Sequence, residues 1–213
     1  MSGTRRFWFW LIALLIAAMV LAVAFWLDPV VQSWIVEHQN RQLRDVMQQV
    51  SRYGDWPTHV VLGLLLLAIA WWRKSKKWSR IFLAMLIACA LAGAAARVIK
   101  VTTGRARPSV KTEQAWTGPG LSAKYHAFPS GHTASSTAFF AVLLFVCWRI
   151  GLACLVIPML IAFSRMYVAA HYLSDVVFAG ILGLFCAWIV VTLMKLSRGD
   201  HQPSPVPIPP NTR

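Results

Sequence analysis

Charged residues are scarce in this sequence, and acidic residues are the scarcest of them. Charged residues make up 13% of the 213 positions, and 7 Asp and Glu stand against 21 Lys and Arg, which gives a formal net charge of +14. An average soluble domain has about 25% charged and about 45–50% apolar residues, whereas 58% of this chain is hydrophobic. The composition excludes an ordinary soluble domain and indicates an integral membrane protein.

Cysteine is also sparse, and its four copies all lie inside apolar runs: Cys89, Cys147, Cys154 and Cys186. None of them has a neighbour at the spacing of a metal site, so we interpret them as small core residues rather than disulfides or ligands. The positive excess could suit nucleic acid, but among long apolar runs it favours anionic lipid headgroups and phosphorylated substrates. The predicted partners are therefore the lipid headgroups of the bilayer and a phosphorylated substrate rather than nucleic acid.

Six apolar runs are predicted to cross the bilayer core, which is about 30 Å thick. They cover about residues 7–27, 58–72, 81–99, 133–148, 152–163 and 176–194, with a tight turn at Arg149-Ile150-Gly151 between the fourth and the fifth. We therefore predict an all-α fold, a six-transmembrane-helix bundle built as one domain by residues 1–200. Five prolines fall in residues 201–213, and this tail is predicted to be disordered.

The first run has a second interpretation as a secretory signal. Ala22-Val23-Ala24 resembles a signal-peptidase site, so cleavage of residues 1–24 stays an open alternative. Cleavage would leave the orientation of the downstream spans unchanged.

The segment between the first two spans, Asp28 to Pro57, is polar. Two apolar stripes in it recur at helical spacing, Val31/Trp34/Ile35 and Leu43/Val46/Met47/Val50. They predict one or two short amphipathic helices that lie against the membrane face. Such helices would either pack on neighbouring helix ends or roof a substrate entrance.

The distribution of positive charge predicts which side each loop faces. One side collects five cations in residues 73–80 together with Arg5, Arg6, Arg149, Lys195 and Arg198. The positive-inside rule makes this side cytoplasmic, together with both termini. Six spans then put the loop 100–132 and the turn 164–175 together on the outer, periplasmic-type face, although both of these segments are also basic.

The stretch from Ser164 to Asp175 carries the first group of candidate site residues. His171 and Asp175 are four residues apart, so one helical turn would bring the carboxylate beside the imidazole and fix its tautomer. Arg165 lies six residues before His171, about 240° away around a helix. The three can act on one substrate only if the chain turns between Arg165 and His171.

Two further clusters are predicted on the same face. Phe128-Pro129-Ser130-Gly131-His132-Thr133 comes directly before a span, where free N–H groups of a helix start can bind an anion and His132 can give up a proton. The loop 100–132 begins with Lys100-Val-Thr-Thr-Gly-Arg-Ala-Arg107-Pro108, whose cations suit phosphate oxygens.

Together these residues resemble the three-part signature of the type 2 phosphatidic acid phosphatases, the PAP2 membrane lipid phosphatases, which are related to the vanadium haloperoxidases. The matching parts are Lys100 with six residues to Arg107-Pro108, then Pro129-Ser130-Gly131-His132, then Ser164-Arg165 with five residues to His171 and three more to Asp175. The resemblance covers residues 100–175 and their membrane setting. Leu173 stands where many relatives have proline, which is a departure outside the signature.

The resemblance implies a role for each matching residue. His171 is the implied nucleophile, Asp175 orients its ring, and His132 is the general acid and base. The phosphoryl oxygens would be bound by five residues: Lys100, Arg107, Ser130, Gly131 and Arg165. The resemblance implies no metal and no cofactor, because the cations stabilise the charge of the transition state.

Other chemistries remain alternatives at this point. His132, His171 and Asp175 could instead hold a metal ion, and Ser130 could serve in an acyl-transfer triad, although a nucleophile elbow is absent. The same site could transfer phosphate to another lipid, bind a lipid phosphate without turnover, or oxidise halide with vanadate. Four substrates fit the resemblance, with undecaprenyl diphosphate slightly ahead of phosphatidylglycerol phosphate, phosphatidic acid and lipid A phosphate.

Overall fold

The computed structural model describes residues 3–196, and the regular structure in this range is helical apart from one isolated bridge between Arg105 and Trp116. This part of the chain forms α1 Gly3–His38, α2 Arg41–Tyr53, α3 Trp56–Trp72, α4 Lys76–Thr103, α5 Gly131–Val146, α6 Trp148–Cys154, α7 Val156–Tyr167 and α8 Leu173–Leu193. The predicted all-α fold is confirmed. The predicted disordered tail, 201–213, lies outside the described residues.

Several of these helices can cross a bilayer. Four segments are long and apolar enough by themselves: Phe7–His38 in α1, Lys76–Thr103, Trp148–Tyr167 and Leu173–Leu193. Helices α2 and α3 meet the same criterion only as a pair bent by 53°, and α5 is apolar but shorter. The chain is an integral membrane protein with four or five candidate spans, while the count of six remains a prediction.

Helix α1 is longer than its predicted span, which was expected to end at residue 27. It continues to His38 through Pro29, and at 36 residues it is about 54 Å long. Asp28, taken from the sequence as the start of a polar segment, is 5% exposed because Arg105 pairs with its carboxylate inside the fold. A charge compensated in this way does not end the helix.

One short amphipathic helix follows α1, as predicted, and this is α2. The first apolar stripe, which includes Ile35, belongs instead to the end of α1. Ile35, Met47 of α2 and Tyr167 of α7 form a small buried cluster. The two stripes therefore pack against the end of α7, and Tyr167 also accepts a hydrogen bond from the Asn40 N–H through its hydroxyl oxygen (3.0 Å).

The predicted turn at Arg149-Ile150-Gly151 is wrong, because these three residues lie inside α6. The chain bends one step earlier, at Cys147, whose φ and ψ of −132° and 70° are not helical. A Cβ at Gly151 would lie 2.0 Å from the Leu144 nitrogen. Gly151 is therefore needed for the close approach of α6 to α5 rather than for a turn.

Helix α5 is the centre of the bundle. All eleven residues from Thr133 to Leu143 are buried, and α5 packs against α4 and α8 on its two main sides. A helix that is apolar on every face must be surrounded by others. The first turn of α5 carries Gly131 and His132, so this central helix begins at the candidate site.

A left-handed glycine directs the chain from α4 into the long loop. Gly104 ends α4 with a φ of +62°, and its carbonyl accepts a hydrogen bond from the Thr117 N–H at 2.9 Å. A Cβ at this position would lie 2.0 Å from the carbonyl oxygen of Gly118. Only glycine satisfies both the dihedral and the close approach.

We expect Gly104→Ala to lower the thermal midpoint in detergent micelles more than Gly118→Ala does. Both residues have positive φ, which costs a non-glycine residue about 1–2 kcal/mol. A Cβ at Gly118 meets nothing within 4 Å, so only the Gly104 variant adds a backbone collision. Equal thermal midpoints for the two variants would show that the backbone at Gly104 is not tightly packed against Gly118.

Candidate active site

The three candidate segments meet through backbone and side-chain hydrogen bonds. The Ser130 N–H donates to the Asp175 carbonyl (3.2 Å), which ties the start of α5 to the start of α8. Thr103 at the end of α4 donates from its hydroxyl to the Phe128 carbonyl (3.1 Å). The segments predicted to share one face of the membrane are thus in direct contact at one end of the bundle.

His171 lies in the turn between α7 and α8, where the sequence required the chain to reverse. Helix α7 ends at Tyr167, Ala169 has a φ of +54°, and the His171 N–H donates to the Arg165 carbonyl (3.3 Å). The turn is therefore closed back on the end of α7. Arg165, before the turn, and His171, after it, are thereby brought close together.

The His171 ring is held by a backbone carbonyl and not chiefly by the carboxylate. Nδ1 lies 2.6 Å from the Ala127 carbonyl oxygen and 3.6 Å from Asp175 Oδ2. Because a carbonyl only accepts, Nδ1 carries the proton and Nε2 is left with its lone pair. The sequence suggested that the carboxylate fixes this tautomer; in the structure Ala127 does so, and His171 precedes α8 rather than sharing a helical turn with Asp175.

Asp175 is fully buried and has other close partners. Its Oδ2 accepts the Tyr172 N–H at 2.7 Å, which caps α8, and its Oδ1 accepts Arg105 Nη1 at 2.5 Å. The carboxylate therefore stays near the imidazole as a fixed negative charge. It can stabilise positive charge that develops on the ring without taking its proton.

Burial lowers the pKa of His171 below its ordinary value. The nearby Asp175 carboxylate opposes this shift, whereas the positive charges of Arg165 and Lys100 add to it. The ring is accordingly neutral at neutral pH. A neutral imidazole with a free Nε2 lone pair is the form that can act as a nucleophile.

The predicted phosphate-binding cations are incompletely paired. Arg165 donates through Nη1 to the Ser51 hydroxyl of α2. The Nε atoms of Arg107 and Arg165 are both buried without a hydrogen-bond partner. Buried donors without partners are costly and mark a place where a polar ligand belongs. Burial also lowers the pKa of Arg107, with Asp175 acting against it.

Gly131 and Lys100 face each other across the start of α5. A Cβ at Gly131 would lie 3.6 Å from Lys100 Nζ, so the glycine backbone is open toward this cation. Ser130 caps α5, and its Oγ accepts hydrogen bonds from Thr133 at 3.4 Å (N–H) and 3.0 Å (hydroxyl). The helix start and the lysine therefore lie close enough together to contact one anion.

Two cavities meet at His132. One, of about 440 Å³, is lined by polar groups that include Ser51, Arg107 and Arg165. The other, of about 550 Å³, has Lys100 and Gly131 at its polar end and is otherwise lined mainly by small and apolar side chains of α3 and α4, among them Val60, Ala90, Gly93 and Ala94. His132 and Asp55 line both cavities.

The sequence did not indicate several residues at this site. Asp55, the N-cap of α3, lies with its Oδ1 3.5 Å from His132 Nε2. Ser51 comes from α2, and Arg105 was counted only as one of the loop cations. A helix-capping Asp and a serine on an amphipathic helix are ordinary features, so no local signal distinguished them.

The carboxylate and imidazole groups do not cluster as metal ligands do. Within residues 3–196, no three His, Cys, Asp or Glu side chains lie together in a way that could hold a metal ion. His171 Nδ1 is hydrogen-bonded to the Ala127 carbonyl, and the Asp175 carboxylate accepts hydrogen bonds from Arg105 and from the Tyr172 N–H. The arrangement favours binding of an anion by cations over coordination of a metal by carboxylates.

These features define a class of protein: a helical membrane protein with a buried neutral histidine and, at the same end of the bundle, arginines whose buried Nε atoms lack partners. The sequence profile of the PAP2 superfamily matches residues 81–198, which is more than half of the chain. The chain belongs to this superfamily, as the resemblance of its motifs predicted. It is accordingly a phosphatase, a hydrolase of phosphoric esters.

Two solved structures share its fold. The PAP2-type phosphatidylglycerolphosphate phosphatase of Bacillus subtilis superposes with a TM-score of 0.66 at 22% identity, over 88% of this chain and 98% of that one. LpxE of Aquifex aeolicus superposes with a TM-score of 0.55 at 19% identity, over 78% of this chain and 95% of that one. No curated protein matches the sequence.

We expect Arg165→Lys to weaken the binding of inorganic phosphate about 10-fold or more. An ammonium cannot offer the planar fork of donors, and a hydrogen bond to a charged group contributes about 1.5–3 kcal/mol. The measurement is thermal stabilisation of the protein by phosphate in micelles. Arg149→Lys, at an exposed position in α6, is the matched control and should keep the wild-type affinity. Unchanged phosphate affinity in Arg165→Lys would remove this residue from the site.

Protein stability should fall as the pH drops from 7 to 5, and His171→Gln should reduce this fall. Because the folded-state pKa of His171 is lowered, the unfolded chain takes up a proton at about pH 6.5 that the folded protein does not bind until lower pH. Protonation then favours unfolding. Thermal midpoints at several pH values test this, with His38→Gln at an exposed position as control. An identical pH response in wild type and His171→Gln would contradict the neutral, buried ring.

Proposed function

We propose that this chain is a metal-independent phosphatase of lipid phosphates or diphosphates that acts through a phosphohistidine. Two observations at one end of the bundle carry the proposal. His171 is buried and neutral, and Ala127 fixes its Nδ1 proton. Arg107 and Arg165 each have a buried Nε atom without a partner. A nucleophile and an anion site in this relation fit attack on a phosphorus atom.

In the first step, His171 Nε2 attacks phosphorus and the bond from phosphorus to the lipid oxygen breaks. His132 gives its proton to that oxygen, so the lipid leaves as an alcohol, or as a monophosphate when the substrate is a diphosphate. Lys100, Arg107, Arg165, the Ser130 hydroxyl and the Gly131 N–H bind the phosphoryl oxygens as their charge grows. The positive charge left on the His171 ring is compensated by Asp175.

In the second step, water attacks the phosphohistidine. His132 takes a proton from the water, the bond between phosphorus and His171 Nε2 breaks, and inorganic phosphate leaves. His171 is then neutral again, and His132 carries the proton that it took from the water. Each residue thus ends the cycle in the protonation state in which it began.

We place the site on the outer, periplasmic-type face of a bacterial-type inner membrane, with six spans and both termini in the cytoplasm. Supporting this, the cationic turn 73–80 lies at the end of the bundle opposite the site. Helix α4 starts at that turn and carries Lys100 in its last turn. Helix α8 starts at the site and returns, so that Arg80 donates to the Met194 carbonyl at 2.5 Å. The positive-inside rule then assigns the turn to the cytoplasm.

The apolar cavity beside Lys100 and Gly131 supports a substrate with a hydrocarbon chain close to its phosphate. Undecaprenyl diphosphate, phosphatidylglycerol phosphate, phosphatidic acid and lipid A phosphate all meet this description. Release of inorganic phosphate from each of the four in detergent micelles identifies the substrate. Phosphate release from none of them would refute the proposed function.

The phosphohistidine is the most specific prediction. Acid-sensitive and base-stable phosphate should be trapped on wild-type protein during turnover of ³²P-labelled substrate, and His171→Ala should trap none and lose turnover. His132→Ala should still trap label from an activated phenyl ester, whose leaving group needs no proton, but should release it slowly. Wild-type turnover in His171→Ala would overturn the mechanism, and loss of wild-type activity in EDTA would overturn its independence from metal.

Two other functions use the same residues. A lipid phosphotransferase would pass the phosphoryl group to an acceptor lipid, and phosphate release that falls when an acceptor lipid is added distinguishes it. A lipid-phosphate binder would bind without turnover, but the fixed His171 tautomer serves attack rather than binding. Vanadate should inhibit the phosphatase as a mimic of the five-coordinate transition state, and halide oxidation with vanadate and peroxide tests the remaining alternative.

A further inference from the structure

Arg105 is a buried cation of the long loop for which the proposed mechanism has no use. It lies between Lys100 and Arg107 in the sequence, but it lines neither of the two cavities that contain His132. It is 7% exposed. Burial of a charged side chain is costly unless it is paired. Because Arg105 does not face the phosphate site, its charge must be compensated by other groups.

The Arg105 side chain joins two buried carboxylates from distant parts of the chain. Its Nη1 donates to Asp175 Oδ1 at 2.5 Å and to Ser174 Oγ at 2.7 Å, and its Nη2 donates to Asp28 Oδ2 at 2.7 Å. Asp28 in turn accepts the Ser174 N–H at 2.8 Å and the Ser174 hydroxyl at 2.5 Å. Both carboxylates and the first turn of α8 are thereby fixed by one guanidinium.

The Arg105 backbone holds the other partner of the nucleophile. Its carbonyl accepts the Ala127 N–H at 3.0 Å, and the Ala127 carbonyl accepts His171 Nδ1 at 2.6 Å. The side chain of Arg105 thus sets Asp175, and its backbone sets Ala127. Both groups that contact the His171 ring depend on this single residue.

Three aromatic rings surround the guanidinium and keep it in place. The Arg105 Cζ lies 5.1 Å from the ring centroid of Phe25, 5.1 Å from that of Trp116 and 4.3 Å from that of Tyr172. Such rings favour a cation where water is scarce. They also occupy the space into which the side chain would otherwise turn.

We propose that Arg105, supported by Asp28, is a positioning residue that holds the Asp175 carboxylate in place with its Oδ2 directed toward His171. The imidazolium formed when His171 is phosphorylated then meets a fixed negative charge. This inference rests on the proposed phosphatase function. It assigns Arg105 of the long loop and Asp28 of α1 to the support of the nucleophile, while Lys100 and Arg107 keep the proposed phosphate-binding role.

The charged and titratable groups around Asp175 determine what loss of Arg105 would do. They are Arg105 from the loop, Asp28 from α1, His171 and Tyr172 from the turn, and Lys100 and Arg107 at longer range. Without Arg105, two buried carboxylates face each other without their shared cation. Such a pair takes up a proton more readily, and protonated Asp175 cannot stabilise an imidazolium.

The test measures kcat, KM and the pH dependence of phosphate release for Arg105→Met in micelles, with a lipid phosphate that the wild type hydrolyses. We expect kcat to fall about 10- to 100-fold. Loss of a group that orients a functional histidine has an effect of this size in metalloproteins. KM should stay near the wild-type value, and the acidic limb of the kcat profile should move to higher pH. Lys111→Met, an exposed cation of the same loop, is the matched control and should leave all three unchanged.

Asp28→Asn in the Arg105→Met background tests the second carboxylate. Removing one of two unpaired negative charges relieves their repulsion, so the double variant should be more active than Arg105→Met alone and its acidic limb should move back. A double variant no better than the single one would exclude Asp28 from the proposed role. If Arg105→Met does not accumulate as folded protein, Arg105→Lys, which keeps the charge but cannot span both carboxylates, should shift the acidic limb in the same direction by a smaller amount.

A merely structural role predicts a different result. It would lower the fraction of active protein, measured by phosphohistidine trapping, and leave the pH profile of the remaining enzyme unchanged. That outcome, or wild-type kcat in both Arg105 variants, would overturn the inference while leaving the phosphatase function intact. A wild-type protein that releases no phosphate from any lipid would instead refute the proposed function, and this inference with it.

Discussion

The structure around the candidate site depends on the compensation of charges that are buried together. Asp28, Arg105 and Asp175 come from α1, the long loop and α8, and the two ion pairs among them, at 2.7 and 2.5 Å, are withdrawn from water. Removing one partner of such a group is strongly destabilising because the others remain buried and unpaired. The three chain segments are therefore fixed relative to one another wherever this network is intact, and His171 is fixed with them.

Cations of the same loop are used in opposite ways. Arg105 has its donors paired with carboxylates, whereas Arg107, two residues later, has a buried Nε without a partner. Only Ala106 separates the two arginines, yet their surroundings differ: Arg105 lies between the carboxylates of Asp28 and Asp175, whereas Arg107 lines the polar cavity. One arginine is thus available to stabilise the protein and the other to bind an anion. A cation that already neutralised Asp175 could not also bind phosphate strongly.

The sequence predicted the parts of this site that depend on spacing within one segment, and it missed those that depend on contact between segments. The reversal between Arg165 and His171 followed from the helical angle between them. The contact of Asp55 with His132, by contrast, joins α3 to α5, and Asp28 was taken as the end of a span because its partner Arg105 is 77 residues away in sequence. Likewise, Gly151 resembles a turn residue locally but permits close helix packing in the fold.

The position of His132 between two unlike cavities gives a physical reason for a single acid–base residue to serve both steps of the proposed reaction. The apolar cavity, which contains Lys100, suits a departing lipid, while the polar cavity, lined by Arg107 and Arg165, suits water. In both steps the group opposite His171 Nε2 is an oxygen, first that of the departing lipid and then that of the attacking water, so one ring can give a proton to the first and take one from the second. Because His132 lines both cavities, water from the polar cavity can reach it once the lipid has left.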